Sequence, residues 1–195
     1  MMLNRVSKAE RIMKLLQLGG VLTVAGVLFS FPVRGETAPR DGSHDFDFCR
    51  GAWHTHATQI LDPFAAGGSQ TATLDGTKTA HPLWDGRGWL EEIEADGPNG
   101  HWEGATLLLS DAKSGQWSQT YLDSDEGQAE TPTIGSFKDG SGEFFSTATY
   151  QGRTVLKRGV WSDIKADSHH YEVSYSLDGG RSWATAFKAD LTRLK

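Results

Sequence analysis

Two pairs of histidines have the residue type and the spacing of metal ligands. His54 and His56 are separated by one residue, so on a strand both rings lie on the same face. A zinc site needs three or four ligands, however, and the other histidines are scattered along the chain. We therefore interpret this pair as a solvated feature of an outer strand face. His169 and His170 are adjacent, so on a strand at most one of them can face a pocket. No metal site is predicted.

Two acidic clusters have the residue types of acid–base catalysts. Glu91, Glu92 and Glu94 form one of them, but a solvated strand face is favoured over a glycosidase pair, whose carboxylates flank a sugar cleft from separate strands. The segment His44-Asp45-Phe46-Asp47-Phe48 is the other, and its two phenylalanines favour an apolar plug at a barrel end with the polar residues outside. The sequence has no G-x-S-x-G, no H-E-x-x-H and no G-x-G-x-x-G after a strand. No catalytic residue is predicted, and an enzyme is the less favoured class.

Aromatic residues that alternate with polar ones give a stronger signal. Trp117-x-Gln119-x-Tyr121 puts an indole, an amide and a phenol on one strand face, and Tyr171-x-Val173-x-Tyr175 repeats the pattern. Trp161 can join these side chains by packing. Core packing explains any one of them alone. Polar groups inside an aromatic lining are nevertheless what a small-molecule pocket needs to orient its ligand.

The stretch Ser176-Leu177-Asp178-Gly179-Gly180-Arg181-Ser182-Trp183 resembles the Asp-box of sialidases and other propeller proteins. A propeller repeats such a motif once per blade, whereas this chain carries it once and is too short for several blades. The Asp178 carboxylate can bond N–H groups of its own turn, and the glycines can adopt positive φ. We therefore predict a hairpin turn here and not an active site.

Turn signals recur at short intervals from residue 67 onwards, and the segments between them are rich in Thr, Val, Tyr, Phe and Trp. This pattern predicts an all-β fold. Three hairpins follow directly: 101–110 with 116–123, 142–150 with 154–162, and 170–177 with 183–194. Tight turns between neighbours favour up-and-down antiparallel order, and closure removes the sheet edges. The predicted fold is a single up-and-down antiparallel β-barrel of about 8–10 strands.

These segments, as an ordered set over residues 44–193, resemble an uncharacterised bacterial domain-of-unknown-function family with a lipocalin- or nitrobindin-like (calycin-like) barrel. The matching pieces are His44-Asp45-Phe46-Asp47-Phe48, Gly51-Ala52-Trp53, Asp75-Gly76-Thr77, Gly86-Arg87-Gly88, Ser114-Gly115-Gln116-Trp117, Val160-Trp161-Ser162-Asp163, the 176–183 turn and Thr192-Arg193. The resemblance implies a fold and carries no activity. The nitrobindin resemblance suggests the hypothesis that a histidine such as His169 or His170 ligates haem. No motif matches residue by residue, however, and no cofactor is predicted.

Gly51-Ala52-Trp53 is similar to the start of lipocalins, in which the tryptophan closes one end of the barrel. The resemblance implies that Trp53 points inward, and alternation then places Thr55, Ala57 and Gln59 inward and the two histidines between them outward. The predicted ligand pocket consists of Trp53, Gln119, Tyr121, Trp161, Tyr171 and Tyr175.

The N-terminal residues differ from the rest of the chain. Four basic residues lead into the uncharged run 15–33, which predicts a secretory signal peptide over residues 1–35, with an uncleaved membrane anchor as the alternative. Residues 36–43 are predicted as a flexible lead-in, and 44–195 as the barrel domain. Removal of residues 1–35 takes away five basic residues and one acidic residue, so the net charge falls from −6 to −10. This charge disfavours nucleic acid and anionic membranes as partners.

The sequence therefore predicts an exported barrel protein, periplasmic or secreted, that binds a small apolar or amphipathic molecule inside the barrel. An enzyme of unknown reaction that uses the barrel mouth is one alternative. A structural or interaction module without a ligand is the other. Cys49 is the single cysteine, which excludes a disulfide within the chain, and a buried free thiol is the favoured interpretation.

Overall fold

The computed structural model describes residues 41–195. The predicted signal peptide and residues 36–40 of the predicted lead-in lie outside the described residues. Within residues 41–195, no helix is long and apolar enough to cross a membrane. The secondary structure consists of strands and two short 3₁₀ helices.

Eleven strands follow one another along the described chain. They are β1 (Gly51–Ile60), β2 (Thr71–Leu83), β3 (Gly88–Gly97), β4 (Gly100–Asp111), β5 (Gln116–Asp123), β6 (Gln128–Ala129), β7 (Thr133–Lys138), β8 (Ser141–Tyr150), β9 (Arg153–Ser162), β10 (Ser168–Ser176) and β11 (Ala184–Arg193). The 3₁₀ helices span Asp47–Cys49, before β1, and Trp84–Gly86, between β2 and β3.

Ten of these strands form one closed antiparallel barrel. Their order is β4-β3-β2-β1-β11-β10-β9-β8-β7-β5, and a further pairing of β4 with β5 closes the ring. The short β6 pairs only with the end of β5. Closure pairs every long strand on both sides, which leaves no exposed sheet edge among the ten. The predicted all-β, up-and-down barrel is confirmed.

The three predicted hairpins are confirmed as β4–β5, β8–β9 and β10–β11. In the last of them, the Asp178 Oδ1 atom accepts the backbone N–H groups of Arg181 at 3.0 Å and Ser182 at 2.9 Å. Gly179 and Gly180 have φ values of 74° and 87°, a region that glycine reaches without strain. These contacts are local to the turn, as the sequence predicts.

Aromatic packing fills the end of the barrel at which β1 begins. The buried cluster there comprises Phe46, Cys49, Ala80, Trp89, Leu108, Trp117, Phe144 and Trp161. Phe46 has no exposed surface, and its ring centroid lies 4.9 Å from that of Trp117. The Trp117 Nε1 group donates a hydrogen bond to the Gly42 oxygen at 2.8 Å, which ties the segment before β1 to this end. The predicted apolar plug is confirmed at this end of the barrel.

Candidate functional site: a cavity inside the barrel

The barrel encloses a cavity of about 590 Å³. At one end it is lined by buried side chains, among them Lys78, Glu91 and Trp161. At the other end its wall includes exposed residues of the connecting loops, such as Leu61, Pro98 and Asp125. The cavity therefore has a closed floor above the aromatic plug and a mouth between the loops. Its volume lies within the range of small-molecule sites.

Five residues of the predicted pocket lie on the wall of this cavity: Gln119, Tyr121, Trp161, Tyr171 and Tyr175. The register changes between Val173 and Ser174 where β10 pairs with β11, and Ala186 is the extra residue. Because that residue belongs to β11, the alternation of β10 continues through the bulge, and its tyrosines share the inner face.

Trp53 does not line the cavity, and this part of the predicted pocket needs correction. Its ring is fully buried at the closed end, with the centroid 4.4 Å from that of His169. Its Nε1 group donates to the Cys49 oxygen at 2.7 Å, and the Arg193 guanidinium carbon lies 4.1 Å from the ring centroid. Alternation predicts the inward face of Trp53 correctly, but it does not predict how far along the barrel axis the ring lies.

Two of the phenol rings on the wall, those of Tyr121 and Tyr171, lie across inward-facing glycines. A Cβ atom added at Gly104 would lie 2.5 Å from the Tyr121 hydroxyl, and one added at Gly159 would lie 2.8 Å from the Tyr171 hydroxyl. Each phenol ring therefore occupies space that the side chain of any residue other than glycine would fill. This arrangement holds the phenol rings against the barrel wall and keeps the centre of the barrel open.

A buried ion pair stands at the cavity floor. The Lys78 Nζ atom lies 2.7 Å from the Glu91 Oε1 atom, and the two side chains are only 3% and 2% exposed. Lys78 Nζ is also 3.2 Å from the His169 Nε2 atom and 4.9 Å from the Trp161 ring centroid. The ammonium group is thus surrounded by a carboxylate, an imidazole and an indole face, which together compensate for its removal from water.

His169 is neutral in this arrangement. Desolvation, with smaller contributions from Lys78 and Arg193, lowers the pKa of its imidazole to about 2. Because Lys78 donates to Nε2, the proton of the neutral ring lies on Nδ1, an atom without a hydrogen-bond partner among the described residues. Burial also raises the pKa of the Cys49 thiol, and the nearby Glu91 carboxylate raises it further. Cys49 is therefore an unreactive thiol beside the floor.

Sequence reasoning misses this floor. The sequence analysis assigns Glu91 to a solvated acidic stretch and does not identify Lys78 as its partner. In the structure, Lys78 and Glu91 are both buried. A usable signal exists in each strand. Lys78 takes the inward position of a run that contains Ala72, Leu74 and Ala80, and Glu91 alternates with Trp89, Ile93 and Ala95.

The mouth is aromatic and acidic. The Trp102 and Tyr121 rings are stacked, with centroids 6.1 Å apart and an interplanar angle of 17°. The carboxylates of Asp123, Asp125 and Glu130 belong to the same rim. Burial and these three carboxylates raise the pKa of the Tyr121 phenol, so it stays protonated at neutral pH.

Three residues of the cavity wall have buried polar atoms without a hydrogen-bond partner among the described residues. They are Thr55 Oγ1, Gln119 Nε2 and Trp161 Nε1. The Gln119 oxygen receives a long contact of 3.4 Å from the Thr133 hydroxyl, so its amide nitrogen is the group left over. An unmet buried donor destabilises a protein by about 1–3 kcal/mol, and a bound acceptor removes that cost.

The histidines considered as ligands lie elsewhere. His54 and His56 are exposed, as predicted, and the His56 Nδ1 atom pairs with Asp75 at 2.6 Å. On the outer surface, Glu94, His101 and Glu103 bring one ligand atom each to within 4.8 Å of one another. All three side chains are exposed, so this group has no protein shell that would exclude water from an ion.

The residues do not fit haem ligation by His169 or His170. Neither ring lines the cavity. His169 presents Nε2 to Lys78, and its ring packs against Trp53, while the His170 Nδ1 atom pairs with Asp190 at 2.8 Å. An axial ligand must direct a ring nitrogen into the space that holds the porphyrin.

Comparison with solved structures bears on the barrel fold alone. The chain is similar to the S-type phycobiliprotein lyase CPES from Guillardia theta, with a TM-score of 0.54 and 12% sequence identity over 80% of this chain and 96% of that chain. The redesigned β-barrel mFAP1 bound to DFHBI gives a TM-score of 0.42 at 9% identity over 77% of this chain and 99% of that chain. At such identities the likeness is one of fold. No protein-family model and no curated protein sequence matches the chain.

Proposed function

We propose that this protein binds a small amphipathic molecule inside its barrel. The observation that carries the proposal is the cavity of about 590 Å³, which combines aromatic walls with the unpartnered Gln119 amide. Alkyl and aromatic surface provides the driving force for binding, and a few polar groups fix the orientation of the ligand. We infer a ligand with an apolar body and at least one hydrogen-bond acceptor within reach of Gln119.

The polar side chains at the cavity floor favour ligand binding without catalysis. A carboxylate already pairs with Lys78, and the adjacent imidazole has a pKa of about 2, far below the range in which a general base works at neutral pH.

We propose, in addition, that the chain is exported after loss of residues 1–35. The proposed membership of a bacterial calycin-like family of unknown function rests on the ordered motifs over residues 44–193.

Titration with the neutral fluorophore N-phenyl-1-naphthylamine tests the proposal. Its emission should rise on binding with one-site saturation. The variant Ala57→Phe should abolish that rise, because Ala57 lies on the cavity wall and is 3% exposed, so the added ring occupies the space of the ligand.

The matched control is Ala105→Phe, which adds the same ring to β4 on the outer surface of the barrel. It should leave the affinity unchanged. Equal affinity in wild type and in a folded Ala57→Phe variant would contradict binding in the cavity. Failure of the wild type to bind any apolar or amphipathic probe would favour a module without a ligand.

A further inference from the structure

The cations that line the cavity are already neutralised. Lys78 at the floor pairs with Glu91 at 2.7 Å, and Lys157, nearer the mouth, pairs with Glu130. An anionic ligand would therefore have to displace a carboxylate from one of these lysines. For the buried pair, such a displacement would leave Glu91 without its partner in a low-dielectric environment, which is strongly unfavourable.

The mouth, in contrast, has unneutralised negative charge. Asp123 and Asp125 line it, and among residues 41–195 neither carboxylate forms an ion pair with a cationic side chain. The Asp123 Oδ1 atom accepts the backbone N–H groups of Asp125 at 2.8 Å and Glu126 at 3.0 Å, which fixes its position at the rim. On the outer side of the same rim, the hydrogen bond to Asp96 at 3.0 Å raises the pKa of the His101 imidazole, and the charge of this imidazole is met by Asp96 and by Glu103 at 3.7 Å.

The inner face of β5 carries a polar gradient from plug to mouth. Trp117 belongs to the plug, Gln119 has an unpartnered amide nitrogen and is 5% exposed, Tyr121 presents a phenol, and Asp123 ends the series at the rim. A ligand along this strand meets an apolar surface first, then a hydrogen-bond donor, and finally a carboxylate. Stacked Trp102 and Tyr121 add aromatic rings at the level where the charge appears.

Aromatic faces and carboxylates together favour positive charge. The ring quadrupole attracts a cation within about 6 Å of the ring centroid, most strongly where water is partly excluded. The carboxylates add a Coulomb attraction that is screened by salt. The same two features disfavour a sulfate or a carboxylate head group at the mouth.

We propose that the cavity selects an amphipathic molecule with a cationic head group, such as an amine or a quaternary ammonium, whose apolar body lies in the barrel and whose charge lies at the acidic mouth. This inference rests on the proposed function, since it requires that the cavity bind a ligand. It concerns the charge of the ligand and the direction in which it lies.

Three dodecyl compounds with the same chain separate charge from apolar burial. Dodecyltrimethylammonium, dodecan-1-ol and dodecyl sulfate compete with N-phenyl-1-naphthylamine at concentrations below those at which they form micelles. The ammonium compound should bind more tightly than the alcohol, and the sulfate least tightly, with roughly tenfold between the two charged compounds. High salt should reduce the difference between them.

Removal of one rim charge should weaken binding of the ammonium compound about two- to fivefold and leave the alcohol unchanged. Asp125→Asn is the suitable variant, because no hydrogen bond to its carboxylate is needed for the turn. The matched control is Glu143→Gln on β8, where the exposed side chain lies outside the cavity, and it should change neither affinity.

Tighter binding of the sulfate than of the ammonium compound would overturn the inference, and alcohol binding in the same experiment would show that the proposed function survives. A cation preference that Asp125→Asn and Asp123→Asn both leave intact would also overturn it. If none of the three compounds displaces the fluorophore and the fluorophore itself does not bind, the proposed function fails together with the inference.

Discussion

Acid should destabilise this barrel through His169, whose ring is 2% exposed beside the Lys78–Glu91 pair. The imidazole has its ordinary pKa of 6.5 when the chain is unfolded, whereas desolvation lowers the pKa to about 2 in the folded state. Between these two pKa values the unfolded state binds up to one more proton than the folded state. Linkage makes the free energy of unfolding fall as the pH falls, by about 1.4 kcal/mol per unit.

The loss from this single group is about 2.5 kcal/mol between about pH 7.5 and about pH 4.5. The stabilisation is fully present above the unfolded pKa of 6.5, and it is lost progressively as the pH falls below that value. Any folded-state pKa below about 3.5 gives the same loss over this range, because the folded imidazole then stays neutral throughout. A loss of this size is a large fraction of the stability of an ordinary domain.

Urea unfolding followed by tryptophan fluorescence measures the loss at each pH. The test variant is His169→Gln, because the glutamine oxygen can accept from Lys78 but does not titrate. Its pH profile should be flatter than that of wild type by about 2.5 kcal/mol over this range, since contributions common to both proteins cancel. His54→Gln, on the outer face, should keep the wild-type profile. Parallel profiles for wild type and His169→Gln would show that His169 does not take up the proton on unfolding.

Three further predictions concern the floor, the backbone and metals. Lys78→Met or Glu91→Gln alone should lower the free energy of unfolding in urea by about 3–5 kcal/mol, because an unpaired charge or polar group stays buried. The double variant Lys78→Met with Glu91→Leu should lose less than the sum of the two single losses, and additive losses would contradict an interaction between the two side chains. Gly76→Ala should lower the free energy of unfolding by about 2–3 kcal/mol, because the added Cβ would overlap the Glu94 carbonyl oxygen. Gly159→Ala should lower it by about 1 kcal/mol, because only the end of the Tyr171 side chain must move. Equal losses for the two variants would contradict this difference in steric overlap. A chelator should leave the thermal midpoint unchanged, and a fall of several degrees that zinc reverses would contradict this.

Local chemistry explains how much of the fold the sequence predicts. The 178–181 turn contains its own glycines and capping carboxylate, so its hairpin can be predicted without knowledge of the rest of the chain. The turns between β4 and β5 and between β8 and β9 each contain a glycine with positive φ, Gly115 and Gly152. Alternation then assigns the inner face of each strand, and the structure has Gln119, Tyr121 and Tyr171 on the cavity wall.

The floor depends on register, which the sequence alone does not provide. Lys78 and Glu91 meet because β2 and β3 pair with Ala80 opposite Glu91 and Ile93 opposite Lys78, so the two charged side chains are diagonal neighbours on one face. Without that register, each charge is assigned to solvent. Trp53 is a second example, because alternation predicts the strand face on which its side chain lies, whereas packing around Phe46 determines its position along the barrel axis.

A crystal structure with 12-bromododecan-1-ol would show whether the cavity holds the apolar body of a ligand, because the bromine can be located by its anomalous signal. We expect one bromine peak inside the barrel, above the Lys78–Glu91 pair and among the side chains of Trp161 and Tyr171, with the hydroxyl directed toward the mouth. A bromine peak confined to the outer surface, at a concentration that saturates binding in solution, would show that the cavity is not the binding site.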